Sequence, residues 1–106
     1  MKICFDIDGV ICTQSRDMNY GNAMPIWFTI NLIKELKDAK HTIILHTARG
    51  SETGIDWRKV TEEQMVRWGV PYDKLVMGKP AADYYVDDRA MGIMGINRLL
   101  ADSVVR

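Results

Sequence analysis

Apolar positions along this chain change period several times, and each change marks an element. Lys2 to Ile7 is a short, largely apolar run that ends at Asp8-Gly9, the pattern of a buried strand running out into a turn. From Val10 to Met24 no helical period survives among Cys12, Thr13, Gln14, Asn19 and Gly21, which predicts a loop or small flap. Pro25 suits a first helical position. Ile26, Ile30, Ile33 and Leu36 then recur at helical spacing on one face, with Lys34, Lys37, Asp38 and Lys40 on the wet side.

A second strand is expected over His41–Thr47, where Ile43, Ile44 and Leu45 form the continuous apolar run of a strand buried on both faces of a parallel sheet. Ala48 to Arg58, with Gly50, Ser51, Thr53, Gly54 and Asp56, reads as a functional loop. Thr61 with Glu62, Glu63 and Gln64 marks a helix start, and Gly69 before Pro71 marks its stop. Leu75–Met77 is a third short strand, Tyr84–Val86 a fourth, and Ala90–Val104 a terminal helix weakened by Gly92 and Gly95. Strands alternating with helices predict an α/β fold, a three-layer Rossmann-like parallel sheet covered on both faces, in one domain over residues 1–106.

Composition narrows what such a fold does. At 106 residues and 12.1 kDa, any site must be built on the core itself. Fourteen basic residues balance 14 acidic ones, so there is no basic footprint for extended nucleic-acid binding. Cys4 and Cys12 read as small buried apolar residues rather than a disulfide framework or a zinc site, which makes a reducing cytoplasm the default. Asp6 and Asp8 interrupt the first apolar run before a signal peptide could form. The longest uncharged stretch, Met18 to Ile33, contains Gly21, Pro25 and three Asn, so no membrane span is expected.

Ligands of open parallel sheets bind beyond the carboxyl ends of the strands, and the informative residues fall there: Asp6 and Asp8, Thr47, Lys79, then Asp87 and Asp88. Four carboxylates converging on one edge with one lysine would repel each other without a hard divalent cation, and Mg2+ is the natural candidate. Two rival readings of the acidic motif fail on position. A calcium loop needs its glycine sixth, whereas Gly9 is fourth, and Asp17 stands where Glu belongs. A receiver domain would need its paired acids early, whereas Asp87-Asp88 follow Thr47 and Lys79. Gly78-Lys79-Pro80 is no phosphate-binding P-loop either, since Pro80 replaces the hydroxyl residue.

In that order, Asp6-Ile7-Asp8-Gly9, Thr47, Lys79 and Asp87-Asp88 resemble the four motifs of the haloacid dehalogenase superfamily of phosphohydrolases. The resemblance covers Lys2 to about Arg89. It implies that Asp6 is the nucleophile, forming an aspartyl-phosphate, and that Asp8 serves as general acid and then general base. It implies further that Thr47 binds the transferring phosphoryl group, that Lys79 pairs with nucleophile and phosphate, and that Asp6, Asp8, Asp87 and Asp88 serve Mg2+.

Within the superfamily, Thr47-Ala48-Arg49-Gly50, Trp68-Gly69-Val70-Pro71, Gly78-Lys79-Pro80 and Tyr85-Val86-Asp87-Asp88-Arg89 resemble capless phosphatases of capsular-polysaccharide biosynthesis, which implies a sugar phosphate or related small phosphate. A nucleotide or polynucleotide-end phosphatase and a non-catalytic phospho-ligand binding module are the alternatives. The gaps between the motifs are used up by core elements, so no cap domain is expected; the flap at 10–24, the loop at 48–58 or a neighbouring subunit in a homo-oligomer would close the site. Ala48, Arg49 and Arg89 are candidate anion contacts, and Trp57 is placed to stack on a substrate. Trp27 reads equally as core or as subunit interface.

Overall fold

The computed structural model describes residues 1–14 and 19–95 of the chain. Three strands, β1 (Lys2–Asp6), β2 (Thr42–Thr47) and β3 (Lys74–Met77), form one parallel sheet in the order β1-β2-β3. Two helices make the crossovers, α1 (Trp27–Asp38) between β1 and β2 and α2 (Arg58–Trp68) between β2 and β3. Because the strand order runs steadily one way, right-handed crossovers put both helices on the same face of the sheet.

Side-chain alternation agrees with that placement. Ile3 pairs with Ile43 and Phe5 with Leu45, and Leu45 with Leu75, so these residues share one face. That face joins Ile30, Ile33 and Leu36 of α1 and Met65 and Trp68 of α2 in one apolar cluster. Each fully buried aliphatic side chain there contributes roughly 1.5–3 kcal/mol. The residues of opposite parity are more open: Cys4 is exposed, and Ile44, His46 and Val76 are half-buried. Helices on a small parallel sheet, with no cap inserted in either crossover, make this a Rossmann-like α/β fold.

Several boundaries differ from the pattern-based expectation, each for a local reason. Helix α1 begins at Trp27, not Pro25, because Pro25 bridges Cys12 and the Ile26 N–H donates to the Ile11 carbonyl at 2.8 Å. Helix α2 begins at Arg58, three residues before Thr61. The Asp56 carboxylate accepts the Arg58 N–H at 3.0 Å, and Thr61 donates its hydroxyl to the Trp57 carbonyl at 2.7 Å from inside the helix. Its end is as expected, with Gly69 at φ 67° and N–H bonds from Gly69 and Val70 back into the last turn.

Tyr84–Val86 is not a strand. The segment runs outside the ladder with Tyr84 87% and Val86 99% exposed, so its apolar side chains are left without a second layer to pack on. Of the expected terminal helix, a 3-10 turn at Ile93–Gly95 is described, and residues 96–106 lie outside the described part, as do residues 15–18 in the middle of the expected flap. Among the described residues no helix is long and apolar enough to cross a membrane.

Candidate active site

The register of the ladder decides what meets at the carboxyl edge. Asp6 lies opposite His46, and Thr47 opposite Met77, so Asp6, Thr47 and the Gly78-Lys79 turn emerge side by side. Asp6 Oδ1 accepts its neighbour's N–H, from Ile7, at 2.9 Å, while Oδ2 faces Lys79 Nζ at 3.5 Å. Lys79 Nζ also sits 4.1 Å from the centroid of the Tyr85 ring, a cation over an aromatic face. Its backbone is pinned at both ends of the peptide unit. The Lys79 N–H donates to the Thr47 carbonyl at 3.0 Å, and the Ser51 hydroxyl donates to the Lys79 carbonyl at 2.6 Å.

After β1 the chain winds into a tight turn. The Ile7 carbonyl accepts N–H groups from Val10, Ile11 and Cys12, and Gly9 takes φ 87°, a conformation that costs a side-chain-bearing residue. This turn carries Asp8 beside Arg49, whose Nε and Nη2 reach Asp8 Oδ2 and Oδ1 at 3.0 and 2.9 Å. The Arg49 Nη1 donates to Thr61 Oγ1 at 3.1 Å and to Gln64 Oε1 at 2.6 Å, and Nη2 also reaches Cys12 Sγ at 3.5 Å. Above this group lies Tyr20, its ring centroid 4.7 Å from the guanidinium carbon and its ring edge-on to Trp57 at 4.9 Å. Burial and the nearby Asp8 carboxylate push the Cys12 thiol up to about 12, so it is no thiolate nucleophile; burial and Asp8 also push the Tyr20 phenol up.

Asp6, Asp8, Lys79 and Tyr85 line a cleft of about 360 Å3, with Trp57 and Tyr20 on its far wall. Ala48 and Arg49 also border it, as does the Gly50–Ile55 loop. The expected rim is thus in place on the 48–58 side. On the other side Gln64 Nε2 donates to the Tyr20 carbonyl at 2.5 Å and the Thr13 N–H to the Met24 carbonyl at 2.9 Å, which ties Tyr20 to α2 and Thr13 to Met24.

Three expected contacts stand differently. Arg49 is 3% exposed and all five of its N–H donors are engaged within the protein, so it has none left for a substrate anion. Thr47 is fully buried, and its hydroxyl accepts the Arg49 N–H at 3.1 Å, a strand-end turn bond. Arg89 is exposed and borders a second cavity of about 470 Å3 on the opposite flank of Asp6 and Lys79, together with Asp87.

The expected Mg2+ ligands are only partly gathered. Asp6 and Asp87 border that second cavity, but Asp8 is turned into the Arg49 fork, and Asp87 and Asp88 are exposed. The Asp87 carboxyl is held below its ordinary range, first by the Arg89 N–H at 2.8 Å and then by Asp88. Among the described residues no three His, Cys, Asp or Glu side chains come together as a metal-holding group. Among the described residues no fourth strand carries Asp87 and Asp88 in the ladder, and Asp87 comes near Asp6 only across that second cavity.

Sequence reasoning missed the polar partners of Arg49 and Lys79. Thr61 and Gln64 lie three apart on α2 and are both buried, a signal that a helical-wheel reading of polar positions could have raised; Tyr85 and Ser51 carry no such signal. Chemically, the cleft offers a half-exposed carboxylate with a cation beside it and a second carboxylate held in a fixed orientation. That pairing suits attack on an electrophile next to a proton-transfer group.

No family model matches the chain, and no curated protein matches it. Solved structures do. A crystal structure of an MCSG target from Vibrio cholerae is 26% identical with a TM-score of 0.78, covering 95% of this chain and 97% of the other. A chain in a structure of a Pnkp1/Rnl/Hen1 complex is 25% identical at a TM-score of 0.60, covering 82% of this chain and 30% of that one. A chain of a Pnkp1/Rnl/Hen1 RNA repair complex, 21% identical at a TM-score of 0.57 over 95% of this chain and 31% of that one, shares the fold. This chain therefore spans about a third of the length of the latter two.

Proposed function

We propose that this protein is a phosphomonoester hydrolase of the haloacid dehalogenase type, with Asp6 as nucleophile and Asp8 as the proton-transfer group. The observation that carries the reading is the pairing at the sheet edge. Asp6 presents one oxygen to Lys79 Nζ at 3.5 Å in the cleft that Asp8 also lines. A carboxylate approaching a phosphate dianion needs shared positive charge, and Lys79 is the cation next to it.

In the first half-reaction an Asp6 oxygen forms a bond to phosphorus as the ester P–O bond breaks, and Asp8, protonated on an oxygen released from one arm of the Arg49 fork, gives its proton to the departing alkoxide. In the second, Asp8 takes a proton from water as that water's oxygen attacks phosphorus, releasing inorganic phosphate and restoring the Asp6 carboxylate. Mg2+ belongs to this reading through the oxygen donors Asp6 and Asp87, which flank one cavity; when bound it supplies positive charge to the phosphoryl oxygens.

A sugar phosphate or related small phosphate is the substrate class proposed, in a single core domain without a cap. The cleft supports it with the Trp57 and Tyr20 rings rather than a row of free cations. A second reading, a phosphorylated polynucleotide end, is favoured by the likeness to a chain of a Pnkp1/Rnl/Hen1 complex at 25% identity. Phosphate release from a panel of sugar phosphates, nucleotides and 3′- or 5′-phosphorylated oligonucleotides, with and without Mg2+, tests both. Release that depends on Mg2+ and disappears in Asp6→Asn is the expected result, and the preferred member chooses between the two substrates. Full turnover in a folded Asp6→Asn variant would sink the mechanism.

A further inference from the structure

Arg49 spends more of the protein's interior on one carboxylate than a surface ion pair would. Its side chain is fully buried, two of its three nitrogens meet both oxygens of Asp8 at 3.0 and 2.9 Å, and every remaining donor is satisfied by a named partner. A buried arginine left unpaired would be strongly destabilising, so the fork onto Asp8 fixes both partners in orientation. Bidentate pairing leaves Asp8 one rotational arrangement in the cleft, where a lone carboxylate would sample several.

The same guanidinium joins two further parts of the molecule. On one side Nη1 is held by Thr61 and Gln64 of α2. On the other, the Tyr20 ring lies over it at 4.7 Å, and the Gln64 amide that accepts from Arg49 at 2.6 Å donates to the Tyr20 carbonyl at 2.5 Å. Helix α2, the 3-10 turn at Tyr20–Asn22 and Asp8 are therefore three bodies fastened to one side chain.

We propose that Arg49 is a positioning residue for Asp8, a buried clamp through which the Tyr20 turn and α2 hold the proton-transfer carboxylate in the cleft that Asp6 also lines. The inference rests on the reading of the cleft as a phosphohydrolase site. It assigns Arg49 a role through Asp8, not through substrate: with its donors filled it binds no phosphate, and its loss acts on the chemical step rather than on affinity.

Arg49→Lys tests this, since lysine keeps the charge and cannot form the fork. Rates are taken per native molecule, below the unfolding transition of each variant, beside wild type and Asp6→Asn. The expected result is a fall in kcat of about tenfold or more with KM within about twofold of wild type. An unchanged kcat overturns the clamp, and so does a rise in KM with kcat preserved, the signature of a substrate contact. Should Arg49→Lys not fold, Gln64→Met removes only the bridge to Tyr20 and one acceptor; kcat is then expected to fall about threefold at constant KM, and no fall overturns the proposal. Absence of turnover in wild type itself across the panel would instead defeat the phosphohydrolase reading, so the two failures are told apart.

Discussion

Lys37, in the last turn of α1, and Asp73, in the turn before β3, meet through both carboxylate oxygens at 2.8 and 2.9 Å. Asp73 also completes both backbone hydrogen bonds of Ile43, accepting its N–H at 2.7 Å and donating its own N–H to the Ile43 carbonyl at 2.8 Å. One side chain thus ties the helix to the sheet at the point where β3 joins the ladder. The Lys37 and Ile43 bonds hold the Asp73 carboxyl below its ordinary 3.8. A carboxyl depressed in the folded state stabilises above the unfolded value and loses that contribution as pH falls through the folded one. Asp73→Asn should therefore lower Tm at neutral pH, and the gap from wild type should close as pH drops below about 4. Thermal melts of both proteins from pH 7 to pH 2 measure it, and a gap that persists at pH 2 would contradict the pairing.

The Thr29 hydroxyl on α1 is fully buried and is the one buried side-chain oxygen among the described residues without a hydrogen-bond partner. Removing an unsatisfied polar atom while keeping the shape avoids its desolvation cost. Thr29→Val is expected to raise stability by about 1 kcal/mol, read as a shift in urea midpoint at constant m. A loss of similar size would mean that the hydroxyl has a partner after all.

Two glycines at left-handed backbone angles separate strain from collision. At Gly50, φ 79°, an added Cβ would lie 2.0 Å from the Ile55 carbonyl oxygen; at Gly78, φ 90°, it would meet nothing within 4 Å. Gly78→Ala should lose about 1 kcal/mol of stability through added backbone strain, whereas Gly50→Ala should lose about 3 kcal/mol or more and displace the loop that walls the cleft. Paired urea titrations decide the order, and equal losses would show that the Gly50–Ile55 turn gives way freely.

For the Asp6–Lys79 pair, Lys79→Met removes the cation while keeping most of the side-chain volume. Turnover should fall about 100-fold or more. Tyr85→Leu removes the ring under the ammonium together with the hydroxyl that donates to the Pro80 carbonyl, for which about a twofold to fivefold loss is expected. Steady-state kinetics on the best substrate of the panel measures both; a Tyr85 effect as large as that of Lys79 would assign the ring a direct part in binding.

The parallel sheet and its two crossover helices were legible because they rest on local patterns: the apolar run Ile43–Leu45, the one-sided helix from Ile30 to Leu36, the stop at Gly69. Helix starts were less so. Asp56 caps α2 from two residues outside it, a local side-chain bond that apolar periodicity does not register, and Pro25 sits in a bridge to Cys12, a contact made between separate segments. At the site, Asp6, Asp8 and Lys79 could be placed together from their positions at strand ends. Arg49 could not, since its neighbourhood depends on α2 packing beside the first turn. Tyr84–Val86 has strand-like composition, yet the ladder does not extend to it, and composition alone is silent on whether a partner edge is within reach.

The β2–β3 register has a consequence for the length of the chain rather than for its chemistry. Lys79 reaches Asp6 because Thr47 stands opposite Met77, which makes the hydrogen-bond ladder a ruler whose rungs are about 3.3 Å apart. Inserting a single residue between Asp73 and Leu75 would reset that ruler by one rung. Either the ammonium moves out of range of Asp6, or Leu75 turns from the helix-covered face to the open one. The number of residues in a turn that touches neither cleft is therefore as strict a requirement for the Asp6–Lys79 pair as the identity of the lysine, and natural length variation should be absent there.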